Sequence, residues 1–389
     1  MAMLIAVEAG GQAALMAPTE ILARQHMEGL AELADAAGVG LTLLTGRDKG
    51  SLRQQKLAAI AGGEASLVVG THALFQDEVA FQDLRLAIVD EQHRFGVRER
   101  VRLGQKGAGA DVLVMTATPI PRTLALASYG DMDVSILDEK PPGRRPIETR
   151  LVSMGRLEEV VERLSGALAR GARAYWVCPL VSETEVSELT AAEARFAALR
   201  ARFGDAVRLV HGQMSGSERD TAMADFQSGR AGVLVATTVI EVGVNVPEAS
   251  IMVIERAESF GLAQLHQLRG RVGRGSAAST CLLLYAPPLG ETARQRLETL
   301  RETEDGFRIA EADLRLRGPG DLLGAQQAGL PRFRIASLER QSDLMAAARD
   351  DARLVLARDP GLDLDRGAAL RLLLWLHDRD EALRLMRAS

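Results

Sequence analysis

The chain is poor in lysine: of its 47 basic residues only four are lysines, at positions 49, 56, 106 and 140. Arginine supplies the rest. Its planar fork suits bidentate phosphate contacts, although a biased genome composition produces the same skew. Cysteine is scarcer still. Cys178 and Cys281 lie in the strand-like runs AYWVCPL and STCLLLY, and no Cys/His grouping has zinc spacing. A disulfide scaffold and a zinc site are therefore disfavoured, buried reduced thiols are expected, and a cytoplasmic setting follows. No apolar run approaches the roughly 20 residues a membrane helix needs. The opening MAMLIAVEAGG has no basic n-region and no cleavage site, so it does not read as a signal peptide. A net charge of −5 argues against a generally basic nucleic-acid binder but leaves room for a local basic groove.

What is present is an ordinary globular composition over 389 residues, 47% hydrophobic and 25% charged, long enough for two domains and a tail. Short apolar runs alternate with amphipathic stretches. The pattern predicts strands at 13–17, 41–44, 66–70, 85–90, 111–116, 148–153, 173–178, 206–210, 231–236, 250–254 and 279–285. Helices are predicted between them at 19–36, 51–61, 120–129, 155–170, 185–203 and 216–228. Near-continuous apolar strands in βα order imply parallel sheets covered on both faces, an α/β fold. DEKPPGRRPIE, at 138–148, breaks the alternation and is the best linker. Strands cease after Tyr285; 291–313 and 337–388 read as helical, with a Gly/Pro-rich segment at 317–332 between them. The expected domains are 1–140, 141–290 and a helical region 291–389. No short-period repeat or low-complexity tract appears.

The chemistry starts in LAIVDEQHRFG, residues 86–96. An apolar strand delivers Asp90 and Glu91 to the crevice at the carboxyl edge of a parallel sheet. One acid suits a metal ion held through water, and its neighbour suits polarising an attacking water. A bare acidic pair is more often a helix N-cap. The next apolar strand, however, ends in TATPIPRT (116–123), where Thr116 and Thr118 offer hydroxyls at the mouth of the same crevice. Later, QLHQLRGRVGRG (264–275) places Arg271 and Arg274 three apart on a short helix or turn, with glycines at 270, 273 and 275 permitting close approach.

These runs resemble the motifs of superfamily 2 helicases, in the family's order. The resemblance implies two RecA-like domains, ATP and Mg2+ as cofactors, and Asp90, Glu91, Gln92 and His93 as the catalytic acidic motif, with Asp90 holding the metal. Arg271 and Arg274 match the arginine-finger motif, and Gly243 and Gln267 join them on the nucleotide side. PTEILARQH (18–26), LLTG (43–46) and GTHALFQ (70–76) resemble loops that grip a DNA strand. They nominate Pro18, Thr19, Thr45, Gly46, Thr71 and His72. Thr19 would open a helix whose amides suit a phosphate. HGQMS (211–215) and ATTVIEVGVNVPEA (236–249) add His211, Gly212, Thr237 and Thr238. Thr116 and Thr118 fall to motor coupling.

EADLRLRGPGDLLGAQQAGLPRFRIASL (311–338) resembles the translocation-coupling motif of the RecG family and of the transcription-repair coupling factor. It implies motor-coupling roles for Arg315, Arg317, Gly318, Gly320, Gln326 and Gln327. Gln92 and the RGPGD…GLPRFRIASL form favour the RecG branch; Ala328, where a polar residue or His is usual, departs from it. That branch implies branched and duplex DNA as partners, forks and Holliday junctions among them, with single-strand binding protein as a further partner and a monomeric state.

A helicase of this kind needs G-x-x-x-x-G-K-[ST] to cradle phosphates. The four lysines follow Asp48, Gln55, Gln105 and Glu139, and none precedes Ser or Thr. RecG-like proteins carry that loop just before the helix that MAMLIAVEAGG resembles. The expectation is thus a C-terminal part of a longer protein, its first motor domain truncated and a DNA-wedge domain lying upstream, inactive as an ATPase by itself. The alternatives are a variant that abandoned ATP, the coupling factor's motor, or a non-hydrolysing DNA- or partner-binding module.

Overall fold

The computed structural model describes residues 1–91, 106–107, 109–116, 134–137, 139–179, 185–237, 246–275, 277–317 and 342–377. They form two compact units, one built on residues 1–116 and one on 136–320. Two further helices, Ser342–Arg358 and Asp365–Leu376, group with the first.

The first unit is a five-stranded sheet: β1 (Gln12–Met16), β2 (Leu41–Leu44), β3 (Leu67–Gly70), β4 (Leu84–Val89) and β5 (Asp111–Val114). Their order is β2-β3-β1-β4-β5, and every pairing is parallel. Alternating side chains build a core on each face. Ala14, Met16, Val68, Ala87 and Val89 pack with Ile60 and Leu74 on one side. Ala13, Leu15, Leu67, Val69 and Ile88 pack with Ala23 and Ala34 on the other. Those two alanines belong to α2 (Glu20–Ala37), which follows α1 (Ala2–Glu8) and precedes α3 (Gly50–Ala61). The buried Gln12 clips the bottom of the sheet. Its amide nitrogen donates to the carbonyls of Ile60 and Ala65, both at 2.8 Å, and its oxygen accepts from the amides of Gln82 and Asp83.

The second unit has six strands: β6 (Ile147–Ser153), β7 (Arg173–Val177), β8 (Val207–Val210), β9 (Val233–Ala236), β10 (Ala249–Ile254) and β11 (Ser279–Tyr285). The order is β6-β11-β10-β7-β9-β8, again parallel throughout. One face packs Ala174, Trp176, Val233 and Val253 under α4 (Leu157–Ala169) and α5 (Glu185–Phe203). The other packs Tyr175, Leu234, Met252 and Ile254 under α6 (Gly216–Gln227), α7 (Leu262–Arg269) and α8 (Glu291–Glu302). Burying each of these larger apolar side chains stabilises the fold by about 1.5–3 kcal/mol.

All eleven predicted strands form, with ends shifted by no more than two residues. The predicted helix 120–129 lies outside the described residues. The predicted helix 291–313 is in fact two, because Thr303 is extended at φ −138° and Asp305 caps a new start. Its carboxylate accepts from the amides of Phe307 and Arg308, beginning α9 (Gly306–Arg317). No helix among the described residues is long and apolar enough to cross a membrane. Both cysteines are free and buried.

Candidate functional site

The predicted site residues of the first unit follow the ends of its strands. Pro18 and Thr19 follow β1, Thr45 and Gly46 follow β2, Thr71 and His72 follow β3, Asp90 and Glu91 follow β4, and Thr116 follows β5. Since every strand runs the same way, all of them lie along one carboxyl edge, where open α/β sheets place ligands. Thr118, Gln92 and His93 lie outside the described residues.

Asp90 is held from three directions. Its backbone amide donates to Met16 at 2.9 Å, its Oδ1 accepts from the amide of Glu91 at 2.9 Å, and its Oδ2 meets His26 Nε2 at 2.8 Å. Glu91 has φ 51°, in the left-handed region that costs a side-chain-bearing residue about 1–3 kcal/mol. Such strain at a strand end is tolerated where the surrounding contacts over-determine the geometry. Adjacent carboxylates of this kind fit Mg2+, which takes one or two protein oxygens and otherwise keeps water and phosphate. Among the described residues no group of three or more His, Cys, Asp or Glu forms an all-protein metal cage.

The neighbouring loops are set by capping and by α3. Thr19 is the N-cap of α2, its hydroxyl accepting from the Leu22 amide at 3.4 Å, so the helix begins at the sheet edge. Thr45 is buried and engages Asp48 through both its amide and its hydroxyl. Burial works against the charge on Asp48, yet Lys56 at 2.5 Å and the Thr45 amide outweigh it and hold the carboxyl below its usual range. Arg53 reaches the Thr45 carbonyl, Gln76 and Glu78, joining the loops after β2 and β3. Gly70, the last residue of β3, leaves no room for a side chain, since a Cβ there would lie 2.4 Å from the Leu44 carbonyl. His72 opens a short 3-10 turn, His72–Phe75, while Gly46 is exposed.

In the second unit, half-buried His211 and exposed Gly212 follow β8, and buried Thr237 follows β9 with its amide on Val210. Thr238 and Gly243 lie outside the described residues. Helix α7 carries Gln267 half-buried and stops at Gly270. Arg271 and Arg274 therefore sit on a turn, not on a helix. Gly273 turns the chain at φ 74°, where a Cβ would also strike Ile147, and Arg274 Nε reaches back to the Gly270 carbonyl at 3.1 Å. Arg271 is 9% exposed and Arg274 half-buried. Burial pushes the Tyr175 hydroxyl up to about 12, with the charges of Arg271, Arg274 and Arg173 pulling the other way, so both turn arginines act electrostatically on that buried ring. On α9, Arg315 is exposed and Arg317 is the last residue; Gly318, Gly320, Gln326 and Gln327 lie outside the described residues.

Sequence reading missed His26, Arg53, Lys56, Arg195, Glu255 and Arg269. Glu255, just after β10, accepts from the Trp176 indole at 2.5 Å and from the Arg195 guanidinium, whose second contact is 3.2 Å. Arg195 also lies over the Trp176 ring, 5.7 Å from its centroid. A lone Glu after an apolar run, four positions before a Ser-Phe-Gly turn, carries no signal of that burial.

Comparison with known sequences agrees with the order of these parts. Residues 1–127 match the DEAD/DEAH box helicase profile, 156–276 the helicase conserved C-terminal domain, and 303–378 the profile described as ATP-dependent DNA helicase RecG, domain 3, C-terminal. The ATP-dependent DNA helicase RecG of Acidithiobacillus ferridurans is 52% identical over 360 residues, covering 92% of this chain and 53% of that protein. The chain belongs to the RecG family of helicases. RecG of Pasteurella multocida is 49% identical over 386 residues, 98% of this chain and 55% of its own. The chain thus spans about half the length of the curated relatives it matches. A solved structure of RecG bound to a three-way DNA junction superposes with a TM-score of 0.71 at 44% identity, over 88% of this chain and 45% of that one. The fold is accordingly of the RecG helicase type: two RecA-like parallel sheets followed by helices.

Proposed function

We propose that this chain forms the motor of a branched-DNA helicase, in which ATP hydrolysis drives translocation on duplex DNA during fork regression and Holliday-junction processing. The observation that carries the reading is the single carboxyl edge at which Asp90 and Glu91 stand beside the Thr19, Thr45 and Thr71 loops. Acid chemistry for a nucleotide and hydroxyls and amides for a strand backbone are there on one rigid sheet. The solved RecG relative with its three-way junction supports the same substrate class.

In this reading Asp90 would hold Mg2+ and Glu91 would orient a water toward the nucleotide. ATP bound with Mg2+ supplies the phosphoanhydride to be cleaved. On the second unit, Arg271 and Arg274 offer cations suited to phosphate charge, and Gln267 and Gly243 are assigned to the same nucleotide. His211, Gly212, Thr237 and Thr238 extend the strand contacts, and Arg315 to Gln327 couple the motor to duplex DNA. The functional divisions are 1–140, 141–290 and 291–389, in a cytoplasmic monomer with single-strand binding protein among its partners. These 389 residues contain no G-x-x-x-x-G-K-[ST], so they do not fit a complete ATP site and no cleavage step is derived for them alone.

The test joins this chain behind the phosphate-loop half of the A. ferridurans relative. Glu91→Gln in that chimera is expected to lower junction-stimulated ATPase roughly a hundredfold or more while sparing junction binding. Unchanged turnover sinks the motor reading. The 389-residue chain alone is expected to show no ATPase. The second reading is a non-hydrolysing DNA-binding role; salt-sensitive duplex binding without nucleotide, alongside an inactive chimera, would select it.

A further inference from the structure

The contact between His26 and Asp90 joins two parts of the first unit that sequence motifs treat as separate. His26 lies on α2, seven residues after the Thr19 cap, while Asp90 ends β4. Seven residues are two helical turns, a rise of about 10 Å. His26 and Asp90 side chains are 30% and 20% exposed, so the 2.8 Å contact is partly shielded from water. An ionised Asp90 only accepts, which requires the proton on His26 Nε2.

The rest of Asp90 is already fixed. Its amide is bound to Met16 and its Oδ1 to the Glu91 amide, so two contacts hold the carboxylate itself, the Glu91 amide at Oδ1 and the imidazole at Oδ2. The imidazole is the one of the two that comes from another element. Glu91 follows directly in a strained left-handed conformation, so a turn of the Asp90 carboxylate is felt by its neighbour. At the far end, α2 packs on the sheet through Ala23 and Ala34, which makes the helix a stiff connector between its cap and His26.

Resting on the motor reading above, we propose that His26 is a positioning residue that relays strand engagement at Thr19 to the metal-site carboxylate of Asp90. A phosphate bound at the start of α2 shifts the helix slightly along its axis. His26 carries that shift to Oδ2 and so sets where Asp90 presents its free lone pairs to Mg2+.

The chimera described above gives the test, read both by junction-stimulated kcat and by Mn2+ binding in the nucleotide complex, followed by electron paramagnetic resonance. His26→Ala is expected to lower kcat about tenfold and weaken Mn2+ binding severalfold, with His26→Gln, which keeps an N–H donor, recovering most of both. Thr19→Ala should add less than about twofold to the His26→Ala defect, because a relay makes the two changes non-additive. His26→Phe keeps the ring volume without the donor and carries the same cycle if the alanine variant does not fold. Full additivity overturns the relay, as does Mn2+ affinity unmoved by His26→Ala and His26→Phe, or a glutamine that rescues neither readout. A Glu91→Gln chimera that hydrolyses normally would instead overturn the motor reading itself.

Discussion

Arg269 donates to the carbonyl of Leu300 at 2.6 Å, closing the C-terminal end of α8 from the residue just before the arginine turn. The same nitrogen reaches the Thr303 carbonyl at 2.9 Å, and the guanidinium also meets His266 Nδ1 at 3.0 Å. The turn bearing Arg271 and Arg274 is thereby fastened to the break between α8 and α9.

Arg269→Ala should therefore destabilise the second unit. Arg269 is 2% exposed, and its removal leaves two helix-end carbonyls without their donor. Each unmet buried group costs about 1–3 kcal/mol, giving a loss of roughly 2–6 kcal/mol. Urea unfolding of the wild-type and variant chains measures it. A loss below about 1 kcal/mol would mean that water replaces the guanidinium at this helix end.

The Trp176–Glu255–Arg195 cluster should behave as a unit. Arg195→Ala strands the carboxylate of Glu255, which is only 8% exposed, and breaking a pair of this kind costs about 3–5 kcal/mol. Removing the charge as well, in Arg195→Ala with Glu255→Gln, should recover part of the loss. Of the two tryptophans, Trp176 is fully buried and Trp375 exposed, so the emission shift on unfolding reports mainly on this cluster. A double variant no more stable than Arg195→Ala would show that the indole and packing dominate.

The strands were legible because their signal is local: SLVVG, AGVLVAT and LAIVDE are apolar runs that need both faces covered. Asp90 and Glu91 stood out for the same reason, as acids ending such a run. His26 did not, because its partner is 64 residues away and its own neighbours read only as a helix. Arg269 looked like one more cation in a basic turn. Its burial depends on α8, whose end is set by Asp305, and the 291–313 pattern gave no sign of a break there. Arg53 and Lys56 lie on a weakly amphipathic α3 and become meaningful only when the loops after β2 and β3 meet beside them.

Arg53→Ala should loosen that meeting. Arg53 bonds the Thr45 carbonyl, Gln76 and Glu78 at once, yet its ion pair with Glu78 lies near the surface, where such pairs contribute about 0–1 kcal/mol. Stability should barely change. Two proposed strand-gripping loops lose their common anchor, however, and junction affinity is expected to fall severalfold, about 1 kcal/mol in binding. Fluorescence anisotropy with a labelled three-way junction measures it. Unaltered affinity would argue that the two loops do not act on the strand together.

The sharpest pH dependence should come from His266. Burial, reinforced by the Arg269 charge, holds its imidazole down to about 4 from an ordinary 6.5. Above pH 6.5 the ring is neutral in both folded and unfolded chains, so it contributes no slope. As pH falls from 6.5 toward 4, the unfolded chain takes up a proton that the folded one refuses, and stability is lost across that window. The shift corresponds to roughly 3 kcal/mol at its full extent, somewhat less for a ring still partly in contact with water. Urea unfolding of the second unit at steps between pH 7.5 and pH 4.5 (about the range of this titration) should show the decline. His266→Gln should flatten it. A decline of equal slope in the His266→Gln chain would assign the acid sensitivity elsewhere.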